Sequence, residues 1–328
     1  MKKALQDRVE IIMATYNGQD FIEEQIDSII NQTHKNIHLF IRDDGSKDDT
    51  LKIINKKIAE YPDKITLINS NDRLGVIGNF SALLKEVSGD YIMFSDQDDV
   101  WLPQKIDATL KKMKTAEAML KDNLPILVHT DLKVVDRNLD ILNPSFWNYT
   151  RLAPKKGQFL HQLLMQGVVT GCTMMINKPL ADLVYPIPNE VIMHDWWIAL
   201  VAAAFGKIDH VNAPTMLYRQ HGKNQVGAKK ESFLRAIVQA VKQPSEHAKK
   251  AESILNRQQK QAHAFHSRFL NDLDIKQSQA LKDFCQIKLD TPVKSISLVC
   301  KHGFYKHGLS RNIRLFLALG FLKYFKKK

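Results

Sequence analysis

The sequence has no acidic residue after Asp290, although nine lysines and arginines lie between Lys294 and Lys328. Over all 328 residues, 47 Lys and Arg stand against 35 Asp and Glu, which gives a formal net charge of +12. The excess of positive charge is therefore concentrated at one end of the chain. Such an asymmetry predicts an anionic partner, either a membrane surface or a nucleic acid.

Cysteines and long apolar runs are also scarce. The three cysteines show no metal-ligand spacing, and their odd number argues against a disulfide framework, so we expect a reducing cytoplasm. The longest apolar stretch, residues 313–325, contains two basic residues and is too short to span a bilayer. The apolar run at residues 9–16 is broken by Glu10, which predicts a strand and not a signal peptide. We expect a cytoplasmic protein that at most lies on a membrane.

The first half of the chain alternates short apolar runs with segments of helical periodicity. Strands are predicted at residues 9–16, 37–42, 65–69 and 91–94, and helices at residues 20–31, 49–60, 77–87 and 103–121. Further strands are predicted at residues 126–130 and 168–176, and a helix at residues 195–205. The alternation predicts an α/β fold with a mainly parallel, doubly wound sheet in residues 1–226. A helical, basic extension is predicted for residues 227–328.

The strongest chemical signal directly follows a predicted buried strand, where Ser95–Trp101 reads S-D-Q-D-D-V-W. Three carboxylates within four residues repel one another unless a cation lies between them. A hard divalent ion with oxygen ligands meets that need and can also bridge a diphosphate. The alternative for an isolated D-x-D motif is a solvated acidic turn, which the position after a strand disfavours.

Two more polar clusters follow predicted strands, at the edge where parallel sheets bind ligands. In Arg42–Ser46, Asp44 is placed to accept a hydrogen bond from the imide N–H of a pyrimidine base, and Gly45 permits a tight turn. The alternative is that this segment only caps the next helix. In Ala14–Gly18, Tyr16 is placed to stack on a base, or else it belongs to the core.

Taken together and in this order, the three clusters resemble glycosyltransferase family 2, whose members have the GT-A fold of nucleotide-diphospho-sugar transferases. The resemblance covers the first 225 residues and includes residues 71–79, which look like the family's N-x-x-x-G loop. It also implies a metal ion held by Asp96 and chiefly by Asp98, with Asp99 behind them. The donor contacts that it implies are Ala14, Thr15, Tyr16, Asp44, Asn79, Asp96 and Gln97.

Further along, His194–Trp197 reads H-D-W-W and resembles the place where these enzymes carry the catalytic base. An inverting transfer needs a carboxylate to take the proton of the acceptor hydroxyl, and this role falls to Asp195. The flanking tryptophans would desolvate Asp195 and offer flat faces to a sugar ring, whereas a helix N-terminus would act on its pKa in the opposite direction. The alternative is that Asp195 caps a helix and the tryptophans are core.

The segment Tyr218–Gln225, which reads Y-R-Q-H-G-K-N-Q, resembles a narrower group. This is the rhamnosyltransferase branch of family 2, which builds bacterial cell-wall and capsular polysaccharides. The resemblance implies dTDP-L-rhamnose as the donor, with a UDP-hexose as the alternative, and Mn²⁺ or Mg²⁺ as the metal. Arg219 or Lys223 would suit the diphosphate by charge. His221 is a further metal ligand beside Asp96 and Asp98, or else a structural histidine.

The basic C-terminal segment predicts one further partner, an anionic membrane surface. Apolar residues recur at helical spacing between Ile313 and Tyr324, with Lys and Arg nearby, which predicts an amphipathic helix on anionic lipid. The alternative is a helix packed on the catalytic domain.

Such a helix would bring the enzyme to a lipid-linked or polysaccharide acceptor. A nucleic-acid-binding module is disfavoured because no recognition motif accompanies the charge. A nucleotidyltransferase is disfavoured because no G-x-G-T-R-like loop follows the first strand. We therefore expect an inverting, metal-dependent glycosyltransferase, peripheral on the inner face of the cell membrane, and leave homo-oligomerisation open.

Overall fold

The computed structural model describes residues 7–68, 72–120, 123–155, 157–221 and 244–325. The contacts between residues divide them into two units. Unit 1 comprises residues 7–149, 169–189 and 193–221, and unit 2 comprises residues 150–168, 190–192 and 244–325. The predicted domain boundary after residue 226 lies outside the described residues, as does Lys223, and stays a prediction.

Unit 1 is built on a sheet of nine strands. The strands are β1 (Val9–Thr15), β2 (Ile37–Asp43), β3 (Ile65–Ile68), β4 (Tyr91–Ser95), β5 (Val100–Trp101), β6 (Ile126–Val135), β7 (Ile141–Asn143), β8 (Met175–Asn177) and β9 (Lys207–Arg219). Their order is β3-β2-β1-β4-β8-β6-β9-β5, and β7 pairs with β6. The ladders from β3 to β4 are parallel, as is the long ladder of β6 with β9, whereas β5 and β8 run antiparallel to their neighbours.

The helices of the first 205 residues alternate with these strands. They are α1 (Ile22–Ile30), α2 (Thr50–Glu60), α3 (Gly75–Glu86), α4 (Lys105–Met119), α5 (Phe146–Thr150), α6 (Leu160–Met165), α7 (Lys178–Val184) and α8 (His194–Phe205). Helix α6 and the last residue of α5 lie in unit 2. Helix α1 illustrates the pattern, because Ile22, Ile26 and Ile29 recur at helical spacing and all three are fully buried in the core.

The predicted α/β fold with a mainly parallel sheet is confirmed, including the strands and helices predicted up to residue 121. The strand predicted at residues 168–176 is wrong for most of its length. Residues Gly171–Thr173 form a 3₁₀ turn instead, and the N–H of Gly171 donates to a side-chain carboxylate and not to a strand. Strand β9 has no counterpart among the predicted strands, because Asp209, Asn212 and Pro214 interrupt its apolar pattern.

The predicted helical region beyond residue 227 is confirmed in the part of it that the structure describes. Its helices are α9 (Pro244–Arg268), α10 (Ile275–Cys285), α11 (Pro292–His302) and α12 (Leu309–Phe325). Phe265, Phe284 and Phe304 are fully buried in this unit, and the last two rings meet edge to face at 5.1 Å. Among the described residues, none of the helices combines the length and the apolar character needed to cross a membrane.

Candidate active site

Three parallel strands deliver three polar loops to one edge of the sheet in unit 1. Strand β1 pairs with β2 on one side and with β4 on the other, and Thr15 lies opposite Asp43. The chain therefore leaves the sheet at the same edge in residues 15–18, in residues 43–46 (the Asp43 loop) and in residues 95–99 (the acidic loop). Ligands bind at this edge in open α/β sheets.

The carboxylate of Asp43 accepts hydrogen bonds from its own loop and from the end of β1. Asp43 accepts from the hydroxyl of Thr15 at 2.8 Å and from the backbone N–H groups of Gly45 and Ser46 at 3.0 and 2.7 Å. Gly45 has a φ of 83°, in the left-handed region that favours glycine. The carboxylate of Asp43 therefore holds this turn in place.

Asp44, which is predicted to contact the donor base, also fastens the start of α3. Its two carboxylate oxygens accept from the N–H groups of Leu74 and Gly75 at 2.7 and 2.9 Å. The side chain is buried, with the guanidinium of Arg42 at 3.5 Å. Asp44 is therefore held by donors of the protein itself, and its contact with the base stays a prediction.

Arg42 connects Asp44 to Asn79, the donor contact predicted on α3. Its guanidinium donates to the side-chain oxygen of Asn79 and to the carbonyl of Asp72, the latter at 2.8 Å. Asn79 itself is buried. In this structure Asn79 is therefore the partner of a buried arginine, and its contact with the donor stays a prediction.

Gln97 joins the first loop to the acidic loop. Its side-chain amide accepts from the N–H of Tyr16 at 2.8 Å and donates to the Tyr16 carbonyl at 3.0 Å, a pair that we call the Gln97 clamp. The close approach explains Gly18, because a Cβ there would lie 2.4 Å from the amide oxygen. Tyr16 directly follows β1, the strand that contains Ala14. The guanidinium of Arg73 lies 4.2 Å from the centroid of the Tyr16 ring. Gln97 thus positions the predicted base-stacking tyrosine.

The carboxylates of the acidic loop are in a different environment, because burial and mutual repulsion act on them. Burial, and then the charges of Asp98 and Asp195, raise the pKa of Asp96 to about 7. Burial, followed by the charges of Asp98 and Asp96, raises the pKa of Asp99 as well. One oxygen of the fully buried Asp99 accepts from the N–H of Arg219 at 3.1 Å, and the other has no hydrogen-bond partner among the described residues. The acidic loop is therefore short of positive charge.

The side chains in and beside the acidic loop fit a divalent metal ion. Nε2 of His221 lies 2.7 Å from Oδ2 of Asp98, so two of the three predicted ligands are brought together. Asp96, the third, lies with Asp99 and Cys172, and the ligand atoms of these three residues are within 4.8 Å of one another. Carboxylates and imidazole are suitable ligands for such an ion, and its charge would relieve the repulsion within the loop. Metal binding by Asp96, Asp98 and His221 stays a prediction.

Asp195 lies in the first turn of α8, as predicted for the catalytic base. Burial raises its pKa to about 6, against hydrogen bonds from backbone N–H groups that lower it. The N–H of Gly171 donates to Oδ2 at 2.9 Å, and the N–H of Trp196 donates to Oδ1 at 2.6 Å. Asp195 and Asp96 are near enough for their charges to interact. The carboxylate is therefore held in place beside the acidic loop.

Tight packing behind Asp195 accounts for the glycine at position 171. The ring of His194 stacks on Phe80 and Phe94, with centroid distances of 4.0 and 5.8 Å. A Cβ at Gly171 would lie 2.7 Å from Nε2 of His194, so a larger residue would displace the N–H that binds Asp195. Burial lowers the pKa of His194 to about 3, which keeps the ring neutral.

The two tryptophans after Asp195 differ in their surroundings. Trp197 is fully buried, and its indole N–H donates to the carbonyl of Val184 at 3.3 Å. It belongs to the core, so the prediction that it offers a face to a sugar ring is wrong. Trp196 is half-buried.

Arg219, the predicted contact of the diphosphate, stands at the end of β9 with its guanidinium bound to protein acceptors. It donates to the carbonyl of Asp98 at 2.9 Å, to the carbonyl of Arg137 and to the carboxylate of Glu24. The Phe21 ring lies 4.8 Å from the guanidinium. Arg219 therefore fixes the backbone of the acidic loop, and its contact with the diphosphate stays a prediction.

A strand-end tyrosine, an acidic loop and a helix-borne carboxylate on one edge of an α/β sheet agree with the comparison against protein families. The family model described as glycosyl transferase family 2 matches residues 10–183. The chain belongs to this family. It is therefore a glycosyltransferase that uses a nucleotide-sugar donor, as the motifs predict.

Relatives of this family-2 chain include a rhamnosyl transferase and a glucosyltransferase. The dTDP-rhamnosyl transferase RfbG of Shigella flexneri is 36% identical over 229 residues, which are 66% of this chain and 74% of that protein. The UDP-Glc:alpha-D-GlcNAc-diphosphoundecaprenol beta-1,3-glucosyltransferase WfaP of Escherichia coli is 42% identical over 107 residues, which are 33% of this chain and 41% of that protein.

A solved structure confirms the GT-A fold of this family-2 chain. The crystal structure of S. aureus TarS 1-349 in complex with UDP-GlcNAc matches it with a TM-score of 0.57 at 15% sequence identity. The match covers 90% of this chain and 80% of that chain.

Sequence reasoning missed three buried residues of the site: Cys172, Lys105 and Gly171. Lys105 is fully buried, with its ammonium 3.4 Å from the hydroxyl of Thr215 and 4.8 Å from the Trp101 ring centroid. Burial lowers the pKa of Lys105 to about 8, while the charges of Cys172 and Asp99 act in the opposite direction. The available signal was the place of Lys105 on the buried face of α4, which a solvated lysine would avoid.

Proposed function

We propose that this chain transfers L-rhamnose from dTDP-L-rhamnose to a lipid-linked saccharide acceptor in bacterial surface-polysaccharide synthesis, with inversion at the anomeric carbon and with a divalent metal ion. The observation that carries the proposal is that a positioned carboxylate, Asp195, lies beside the acidic loop with its cluster of possible metal ligands at one sheet edge. Asp195 would take the proton of the acceptor, and the acidic loop would hold a metal ion at the departing diphosphate.

Asp195 would act as the general base. Its two oxygens are each held by one backbone N–H, from Gly171 and Trp196, which leaves lone pairs free to take the proton of the acceptor hydroxyl. Because burial raises its pKa to about 6, the carboxylate is ionised at neutral pH and more basic than a solvated aspartate. The hydroxyl oxygen would then attack the anomeric carbon in line with the leaving diphosphate. A single base without a covalent intermediate implies inversion.

Asp98, His221 and Asp96 would hold the divalent ion, which supplies positive charge to the leaving diphosphate when it is bound. Asp99, buried behind them, accepts from the N–H of Arg219 and keeps the acidic loop in register with β9. Tyr16 would stack on the base, and the Gln97 clamp would fix its backbone. These residues orient the donor and exclude water, and the base completes the reaction.

The donor sugar and the acceptor are supported by the relatives. RfbG, whose match spans 74% of its length, is named a dTDP-rhamnosyl transferase, which supports dTDP-L-rhamnose. WfaP is named a glucosyltransferase that uses UDP-Glc, so a UDP-hexose is the second candidate donor. Its name also includes a GlcNAc-diphosphoundecaprenol acceptor, which supports a lipid-linked acceptor and, with it, a peripheral place on the inner face of the cell membrane.

Calorimetry of donor binding tests this proposal. We would compare dTDP-L-rhamnose with UDP-glucose, UDP-galactose and UDP-N-acetylglucosamine, each with Mn²⁺, Mg²⁺ or a chelator, and with dTDP alone as the matched control. We expect dTDP-L-rhamnose to bind most tightly and to lose its affinity on chelation. Preference for a UDP-sugar would replace the donor and keep the mechanism. Binding that is unchanged by the chelator would remove the metal ion from the proposal.

A further inference from the structure

Helix α12 of unit 2 presents an apolar stripe to solvent. Leu309, Ile313 and Leu317 are 78%, 38% and 40% exposed. Residues four apart lie on one face of an α-helix, so the three side chains form a continuous row. Three exposed large aliphatic residues on one face are more than the scattered single ones of an ordinary surface.

The remaining sides of α12 are the ones that anchor it to unit 2. Leu319 is fully buried, and the Phe316 ring lies 6.4 Å from that of Tyr305. Asn312 accepts from the N–H of Lys306 and donates to its carbonyl, both at 2.7 Å. The helix is therefore fixed on one side by packing and hydrogen bonds. The exposed stripe (Leu309, Ile313 and Leu317) stays accessible to solvent although the helix is held in this way.

The surroundings of the stripe are basic. The chain has no acidic residue from 291 to 328, and nine Lys and Arg lie in this segment. Lys294 on α11, which lies in the same segment, is exposed. The Arg311 guanidinium donates to the carbonyls of Thr150 and Arg151 and so ties the start of α12 to unit 2.

We propose that the exposed stripe of α12 is a docking face for an anionic lipid surface, with the aliphatic side chains at the level of the acyl boundary and the basic residues at the headgroups. An apolar row within a segment that has no acidic residue suits this partner, because both the apolar area and the charge favour it. Contact with a second copy of the chain is disfavoured, since two such positively charged segments would repel each other. The proposal rests on the proposed function in one respect, since a lipid-linked acceptor would explain why the enzyme docks on a membrane. The test measures membrane binding and does not use catalysis.

Flotation of the full chain with vesicles tests this docking face. The vesicles are phosphatidylcholine alone, or phosphatidylcholine with phosphatidylglycerol. The variant Leu309→Gln/Ile313→Gln/Leu317→Gln removes the apolar row without changing charge, and circular dichroism of the variant verifies that it folds. The matched control is Met119→Gln, at the end of α4 in unit 1, which removes a side chain that is 70% exposed.

We expect the native chain and the control to float with anionic vesicles only, and the triple variant to bind at least about tenfold more weakly, because apolar burial contributes to such binding. Equal binding of the native chain and the triple variant, or no binding of the native chain, would overturn the docking face. A dimer that the triple variant dissociates without any change in flotation would overturn it in favour of self-association. Donor calorimetry on the same samples reports separately on the proposed function.

Discussion

The Asp43 loop and the acidic loop follow two strands that both pair with β1, and both contain adjacent aspartates, yet their carboxylates are compensated differently. Asp43 and Asp44 accept hydrogen bonds from hydroxyl and backbone N–H donors within the fold. In the acidic loop, burial and mutual repulsion raise the pKa values of Asp96 and Asp99, and one Asp99 oxygen has no partner among the described residues.

We interpret this difference as the distinction between a structural acidic cluster and a candidate metal site. A carboxylate whose lone pairs are directed at protein donors stabilises its own turn, whereas buried carboxylates that repel one another would be stabilised by an added cation. Sequence alone does not distinguish D-D-G-S from D-Q-D-D by this criterion, because the donors include Thr15, Leu74 and Gly75, which are distant along the chain.

The substitution Asp195→Asn should abolish most of the turnover. The amide cannot take the proton of the acceptor hydroxyl, so kcat should fall by about 10²- to 10⁴-fold. Because the donor would be held by the loops and not by Asp195, its affinity should be unchanged. Steady-state kinetics and donor calorimetry measure the two quantities. Retained turnover would exclude Asp195 as the base, and lost donor affinity would give it a binding role instead.

The substitution Asp98→Ala should remove the effect of metal on nucleotide binding. The native chain should show a higher melting temperature with Mn²⁺ and dTDP together than with dTDP and a chelator, because ligands that bind the folded state stabilise it. The variant should show the same melting temperature in both conditions. Asp49→Ala, after the Asp43 loop, serves as a control that should keep the metal effect. A metal effect that persists in Asp98→Ala would exclude Asp98 as a main ligand.

The same chemical change should have opposite effects on stability in the two loops. Asp43→Asn places an amide N–H group against donors and should lower the free energy of unfolding by roughly 2 kcal/mol. Asp96→Asn relieves repulsion with Asp98 and should leave the metal-free protein equally stable or more stable. Chemical denaturation with a chelator measures both. If Asp96→Asn were as destabilising as Asp43→Asn, the acidic loop would be structural as well.

The dependence of kcat on pH should report the environment of Asp195. Burial raises its pKa from 3.8 to about 6, and only the ionised carboxylate can act as the base. The rate should therefore be nearly full above about pH 7, half of that at about pH 6, and about tenfold lower at about pH 5. Kinetics at saturating donor and acceptor, with folding verified by circular dichroism at each pH, measure this limb. A rate that stays constant down to pH 5 would contradict a buried base.

The sequence was sufficient for those parts of the molecule that local pattern determines. Strands β1 and β4 and helix α1 follow from apolar periodicity, and Asp195 was predicted at the start of a helix from the H-D-W-W motif. Strand β5 was not predictable, because its two residues become a strand only by pairing with β9 more than a hundred positions later.

The contacts within the site were harder to predict from the sequence than the residues that form it. The resemblance named Gln97 as a donor contact, and the structure places its amide on the backbone of Tyr16. Gly171 and Cys172 carried no signal, because a glycine and a buried thiol in an apolar segment have many ordinary explanations. Their positions depend on the 3₁₀ turn that replaces the predicted strand.

The Gln97 clamp has a thermodynamic consequence. A single amide holds the backbone of Tyr16 and, at the same time, is the middle residue of the D-x-D motif, so neither loop can be displaced without disturbing the other. Ligands that settle on the two loops would then share one deformation, and each would change the affinity of the other by the same factor. If the nucleoside and the cation bind as proposed, the clamp would link their affinities, and shortening the side chain at position 97 would uncouple them even if both still bound.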